Sequence, residues 1–161
     1  MGQVRQLEFE LTDSAGGRLD SAVPGPRARE SIHRGASSLE RWCAAAAHAP
    51  EACVVLDREH RVMAASDAWC ALMGVPGQAS VQGHPLLSVL RLLDFADGAE
   101  LDDGEASKIP PLLAIKSRAL ARGLVRVPDG SGGDPVTLDS IATPLLDGDD
   151  VAGSLTFFSK L

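Results

Sequence analysis

Val136–Leu161, VTLDSIATPLLDGDDVAGSLTFFSKL, reads as two extended runs joined by a tight acidic turn. Leu146-Asp147-Gly148-Asp149-Asp150-Val151 places turn chemistry between two apolar-rich segments, the pattern of a β-hairpin. In the second run Val151, Gly153, Leu155 and Phe157 fall on one face and Ala152, Ser154, Thr156 and Phe158 on the other. Apolar groups on both faces predict a strand covered on both sides. A hairpin this long needs further strands and helices beside it, and these must come from upstream.

Working back from the hairpin, Asp129–Asp134 (DGSGGD) is a loose turn and Leu124–Val127 a strand. Pro110 and Pro111 start a helix predicted through Ala121, with Leu112, Ile115 and Ala119 along one side and Gly123 as its stop. Gly83-His84-Pro85 opens a shorter helix with Leu86, Leu87, Val89 and Leu90 inward. Ser66 or Asp67 caps a brief helix bearing Trp69, Leu72 and Met73, which Gly74 closes. Ala52–Asp57 and Val62–Ala65 read as short strands around the polar turn Arg58–Arg61. Ser37-Ser38-Leu39-Glu40 fits a capping box, followed by an apolar stripe of Leu39, Trp42, Cys43 and Ala46 that Pro50 ends. That helix, residues 37–49, suits packing onto a sheet or onto a twin helix of another subunit. Val4–Leu11 alternates like a short strand, and residues 13–35 have the composition of a linker. The expected division is residues 1–36 as strand-like segment and linker, and 37–161 as one α+β domain with a mostly antiparallel sheet and helices on one face.

Composition narrows the function classes. A net charge of −7 opposes binding to nucleic-acid backbones and anionic membranes, so neither is an expected partner. Aromatic content of 4%, with no tyrosine, leaves few base-stacking platforms and predicts an aliphatic interior. The N-terminal MGQVRQLEFE has no apolar signal-peptide core and no run reaches membrane-span length, so a cytoplasmic location with reduced thiols is expected. Cys43, Cys53 and Cys70 form no C-x-x-C pair, and structural packing is the better account of them than redox sensing. Six acids and no base lie between Asp94 and Glu105. The spacing matches a calcium loop only at its ends, since Ala96, Gly98 and Ala99 occupy the third, fifth and sixth positions; no metal is expected there. No nucleophile–base or paired-carboxylate arrangement emerges, and Asp139 and Ser140, adjacent in a strand, point to opposite faces. The residues themselves lead to a sheet-based, non-catalytic binding domain.

The order of elements and several short motifs resemble the PAS family of sensory domains. The matching residues are Val54-Val55-Leu56-Asp57 with Arg61-Val62, then Ala68 and Leu72-Met73-Gly74, Gly83-His84-Pro85-Leu86, Asp129-Gly130, Thr143-Pro144-Leu145 and Val151 with Gly153. The resemblance spans Ser38–Leu161. It implies a five-stranded antiparallel sheet cupped by short helices, with the 37–49 helix as an N-terminal cap, and signalling by small-molecule sensing or dimerisation. Where the family often has Asn after the second strand, this chain has Ser66, a shorter side chain that still caps. The Gly-x-Asn-Cys-Arg motif of flavin-binding members is absent, and Cys70 reads as a core residue. The helix that supplies a haem ligand in some members contains no histidine here, and His84 and His60 lie at a helix start and a turn. Neither flavin nor haem is expected as a cofactor.

Two functions follow from that resemblance. The preferred one is an interaction module: Leu39, Trp42, Cys43 and Ala46 form a homodimer seam or dock a partner, and a separate output protein carries the signal. A chain that ends directly after its last strand, without an output segment, favours this choice. The alternative is a sensor for a small apolar ligand, with a pocket lined by Val55, Met63, Leu72, Leu90, Leu113, Val125, Leu138 and Phe157. Either Phe157 or Phe158 faces that interior, and the outward face of the strand takes a cover from the Trp42 helix of this chain or a twin.

Overall fold

The computed structural model of the protein describes residues 36–161. The Val4–Leu11 strand pattern and the linker at 13–35 lie outside the described residues. The described chain runs α1 (Ser38–Ala47), β1 (Cys53–Asp57), β2 (Val62–Ala65), α2 (Asp67–Met73), a 3₁₀ turn, α3 (Leu86–Val89), α4 (Asp103–Ala106), α5 (Pro110–Ser117), β3 (Ala121–Val127), β4 (Val136–Asp147) and β5 (Asp150–Lys160). The strands form one antiparallel sheet in the order β2-β1-β5-β4-β3. The C-terminal hairpin is therefore central: β5 pairs with β4 on one side and with β1 on the other.

Helices α2 to α5 cover what we call the inner face. Its core contains Val54 and Leu56 of β1, Trp69 of α2, Leu86 of α3, Leu112 of α5, Leu138 of β4 and Phe158 of β5. Helix α1 covers part of the opposite, outer face, where Ala46 meets Cys53, Val55, Ala64, Leu145 and Leu155, with Leu39 and Cys43 packed beside them. The capping box of α1 is formed: Glu40 N–H donates to Ser37 Oγ at 3.2 Å, and Ser37 N–H donates to Glu40 Oε2 at 2.6 Å.

Ser66 resolves the choice of cap for α2. Its hydroxyl accepts from Trp69 N–H at 3.1 Å, accepts from Cys53 N–H at 3.0 Å and donates to the Glu51 carbonyl at 2.7 Å. One fully buried hydroxyl thus caps a helix and pins the start of β1. Ser66→Ala leaves two buried N–H groups without a partner, so a loss of about 3 kcal/mol is expected in urea unfolding, more than a helix cap alone supplies. An effect below about 1 kcal/mol would refute the dual role.

Gly74 ends α2 in the left-handed region at φ 67°. It also touches Gly130 of the β3–β4 turn, where a Cβ on Gly130 would stand 2.7 Å from Gly74 Cα. Helix and turn approach at a distance that only residues without a Cβ permit.

Two expected elements shift. Helix α5 stops at Ser117, with Arg118 in the left-handed conformation at φ 58°, and β3 begins at Ala121, so Gly123 lies inside a strand and stops no helix. Ala119 consequently lies beyond the helix on which it was expected. Leu87 is exposed although it was expected inward, because four-residue α3 turns only Leu86 fully into the core.

Candidate functional site

Four of the eight expected pocket residues reach the inner core: Leu90, Val125 and Leu138 are buried in it and Leu72 packs against it. The others do not. Val55 lies on the outer face under α1, since its neighbours Val54 and Leu56 take the inner one. A strand apolar at every position carries no signal for which parity faces which way. Met63 is the extra residue where the β1–β2 register jumps from Val55↔Ala64 to Leu56↔Val62, and it packs on the outer side. Leu113 is exposed, and Leu112 is the α5 residue that points inward. Phe157 is 41% exposed on the outer face, leaving the interior to Phe158.

Fully buried Trp69, Leu56, Leu86, Leu138 and Val54 fill the space between the sheet and the helices. A cleft of about 210 Å³ opens at its rim, between Met73, Leu90, Arg91, Val127 and Asp129. That volume is below the roughly 300 Å³ at which small-molecule sites usually begin. Three polar groups on the inner side are buried with no hydrogen-bond partner among the described residues: Trp69 Nε1, Ser140 Oγ and Thr156 Oγ1. Ser140 opposes Phe158 and Thr156 opposes Ala142, making the two hydroxyls diagonal neighbours across β4 and β5. A third hydroxyl in that row, Ser154, is satisfied by the Pro111 carbonyl at 2.9 Å.

On the outer side, Leu39, Cys43 and Ala46 of α1 pack on their own sheet, Ala46 buried and Leu39 and Cys43 half-buried. Trp42 differs. It is 43% exposed and shares a small cleft with Phe157, Leu155 and Ala49. Ile141, 38% exposed, is the direct cross-strand partner of Phe157. Trp42, Phe157 and Ile141 therefore form one apolar patch that α1 does not cover. Beside it Arg122 and Asp139 make a bidentate pair, Nε–Oδ1 at 3.1 Å and Nη2–Oδ2 at 2.6 Å. Those hydrogen bonds from Arg122, aided by its charge, hold the Asp139 carboxyl below the usual range. Asp139 thus lies on the outer face against arginine, and Ser140 beside it on the inner one.

The thiols are pushed up. Burial is the main cause for Cys43, Cys53 and Cys70, with Glu40, Glu51 and Asp67 respectively adding to it. Sensor thiols need the opposite shift. In the acidic loop the carboxylates serve the backbone: Asp94 Oδ1 accepts from Ala96 N–H, Asp97 Oδ1 from Ala99 N–H, and Asp102 Oδ1 caps α4 through Glu105 N–H. No group of three or more potential metal ligands occurs among the described residues. His60 and His84 are exposed. No helix among the described residues is long and apolar enough to cross a membrane.

No protein-family model matches the chain, and no curated protein does. Solved structures do. The PAS domain of a protein from Colwellia psychrerythraea is 18% identical with a TM-score of 0.55, over 76% of this chain and 96% of that one. A LOV protein of Rhodobacter sphaeroides is 16% identical with a TM-score of 0.57, over 77% of this chain and 66% of that one. The Vibrio cholerae VqmA dimer is 17% identical with a TM-score of 0.54, over 70% of this chain but only 46% of that one. Together with the strand order β2-β1-β5-β4-β3 and the helices cupped against one face, these likenesses show that the chain has a PAS-like fold.

Proposed function

We propose that this chain is a non-catalytic signalling module that pairs with a second copy of itself through its outer sheet face and acts on a separate output protein. The observation that carries this is the contiguous exposed patch of Trp42, Phe157 and Ile141. Large aromatic groups flanked by an arginine are the composition of interface centres. A two-fold pairing would set the patch against itself, each Phe157 beside the other copy's Trp42. The likeness to VqmA, a dimer, supports the same choice. Sedimentation equilibrium of the intact chain tests it: a concentration-dependent dimer is expected, and a monomer throughout would refute it.

A small-ligand sensor is the second possibility, favoured by the unpartnered Trp69 Nε1, Ser140 Oγ and Thr156 Oγ1. Thr156→Val keeps the shape and removes the hydroxyl. In a filled core without a bound molecule, deleting an unsatisfied polar group is expected to stabilise by about 1 kcal/mol, read as a higher melting temperature. A lower melting temperature would instead favour a bound acceptor or donor, and the sensor. We also propose that the module works without flavin or haem, since Cys70 is a core residue of α2 and α5 contains no histidine. A purified chain without a visible absorption band is expected; a flavin or Soret band would overturn this.

A further inference from the structure

We propose that the cleft beside Trp42 receives Arg122 of a second copy of this chain, whose guanidinium pairs there with Glu51. The inference rests on the outer-face pairing proposed above and adds the contact that sets its orientation. The cleft measures about 90 Å³, with Trp42, Ala45 and Ala49 on one wall and Leu155 and Phe157 of β5 on the other. Small-molecule sites usually begin at roughly 300 Å³, so this one has the size for a single side chain. Its one charged lining residue is Glu51, which is exposed and in no ion pair among the described residues. Aliphatic and aromatic walls beside a lone carboxylate suit a side chain with an apolar stem and a cationic end.

Strand register places such a side chain on the same face. Cys53, Phe157, Ile141 and Arg122 stand opposite one another in a row across β1, β5, β4 and β3. One end of that row is the cleft, which Cys53 also lines, and the other end is Arg122. The Arg122 side chain is 64% exposed. Asp139 takes its Nε and Nη2, which fixes the plane of the guanidinium, and Nη1 has no hydrogen-bond partner among the described residues. Arg126, the next arginine on this face of β3, is half-buried and donates to the Phe95 carbonyl. Arg41 of α1 is exposed and does not line the cleft.

A two-fold axis can set this row against itself in two ways. An axis parallel to the strands, with Phe157 and Ile141 at its middle, reverses the row. Arg122 of each copy then comes to the cleft and Glu51 of the other, and both pairs form at once. An axis along the row instead sets Arg122 against Arg122 and Glu51 against Glu51, which like-charge repulsion opposes. Charge thereby selects the reversed arrangement. The apolar residues supply the contact area, while Arg122 and Glu51 supply the orientation and the preference for an identical chain.

The experiment is sedimentation equilibrium of the full chain carrying Glu51→Arg or Arg122→Glu, each alone and the two mixed. Either variant alone puts like charges at both contacts of the reversed dimer, so its dissociation constant is expected to rise at least tenfold. A heterodimer of the two has opposite charges at both contacts, one native and one exchanged. The equimolar mixture is therefore expected to dimerise within about threefold of the parent. Should Arg122→Glu not fold beside Asp139, a cycle of Glu51→Gln and Arg122→Gln decides: each is expected to weaken the dimer about fivefold, and the double variant no more than either. Folded variants that dimerise like the parent, a mixture that dimerises no better than its components, or additive effects in the cycle would overturn the inference and leave the outer-face pairing standing. A parent chain that stays monomeric overturns both.

Discussion

Gly153→Ala is expected to cost about 4 kcal/mol or more, a large fraction of the 5–15 kcal/mol that stabilises a typical domain. Gly153 sits in the central strand β5 between Asp57 of β1 and Leu145 of β4. A Cβ there would overlap the Leu56 carbonyl oxygen and stand 2.9 Å from the Leu56 carbonyl carbon and 3.1 Å from Asp57 Cα. All of these are backbone atoms, so no side-chain rotation relieves the clash. Relief requires moving β1 off β5, and β1 carries Cys53, Val54, Val55 and Leu56, none of them exposed. The cause is neighbouring backbone, with no left-handed torsion involved. A urea midpoint equal to that of the parent would contradict it.

Phe157→Asp is expected to raise the dimer dissociation constant at least 100-fold, about 2.8 kcal/mol, by placing a charge at the centre of the Trp42–Phe157–Ile141 patch. The ring is already 41% exposed in the single chain, so little core packing is lost with it. The melting temperature measured at monomer-favouring dilution should fall by only a few degrees. Trp42→Ala removes a ring on the same cleft and is expected to act in the same direction. Sedimentation equilibrium reads both. A variant that still dimerises like the parent would move the interface away from this face, while one that no longer folds would show Phe157 to be a core residue.

Much of this architecture is legible without coordinates. The capping box at Ser37 and Glu40, the stop at Gly74 and the turn at Asp147–Asp150 are local signals, each spanning a few residues, and each occurs where its chemistry places it. The C-terminus of α5 was not legible in this way. Gly123 looked like a stop, but Arg118 takes the left-handed conformation and the chain turns five residues earlier. Gly123 is instead where the strand passes Pro110, whose Cγ would lie 3.3 Å from a Cβ on that glycine. A glycine kept for close packing and one kept for a helix end look the same in a sequence. Ser66 was recognisable as a cap, yet its bonds to Cys53 and Glu51 connect residues 13 and 15 positions away and carry no local signature.

Apolar periodicity and turn chemistry, which depend only on neighbouring backbone geometry, were enough to specify an antiparallel α+β domain built around the 136–161 hairpin. Which side chains line its interior was decided by the tertiary structure. Strands β1 and β5 are apolar on both faces, so their composition is symmetrical about the sheet. The extra residue at Met63 exchanges the faces of β2, and a second register shift, opposite Leu145 and Leu146, does the same at the start of β5. From Gly153 to Phe157 β5 pairs with β1 without interruption, and that long-range register, which no local signal encodes, sends Phe158 inward with Val54 and Leu56 and leaves Phe157 outside beside Trp42.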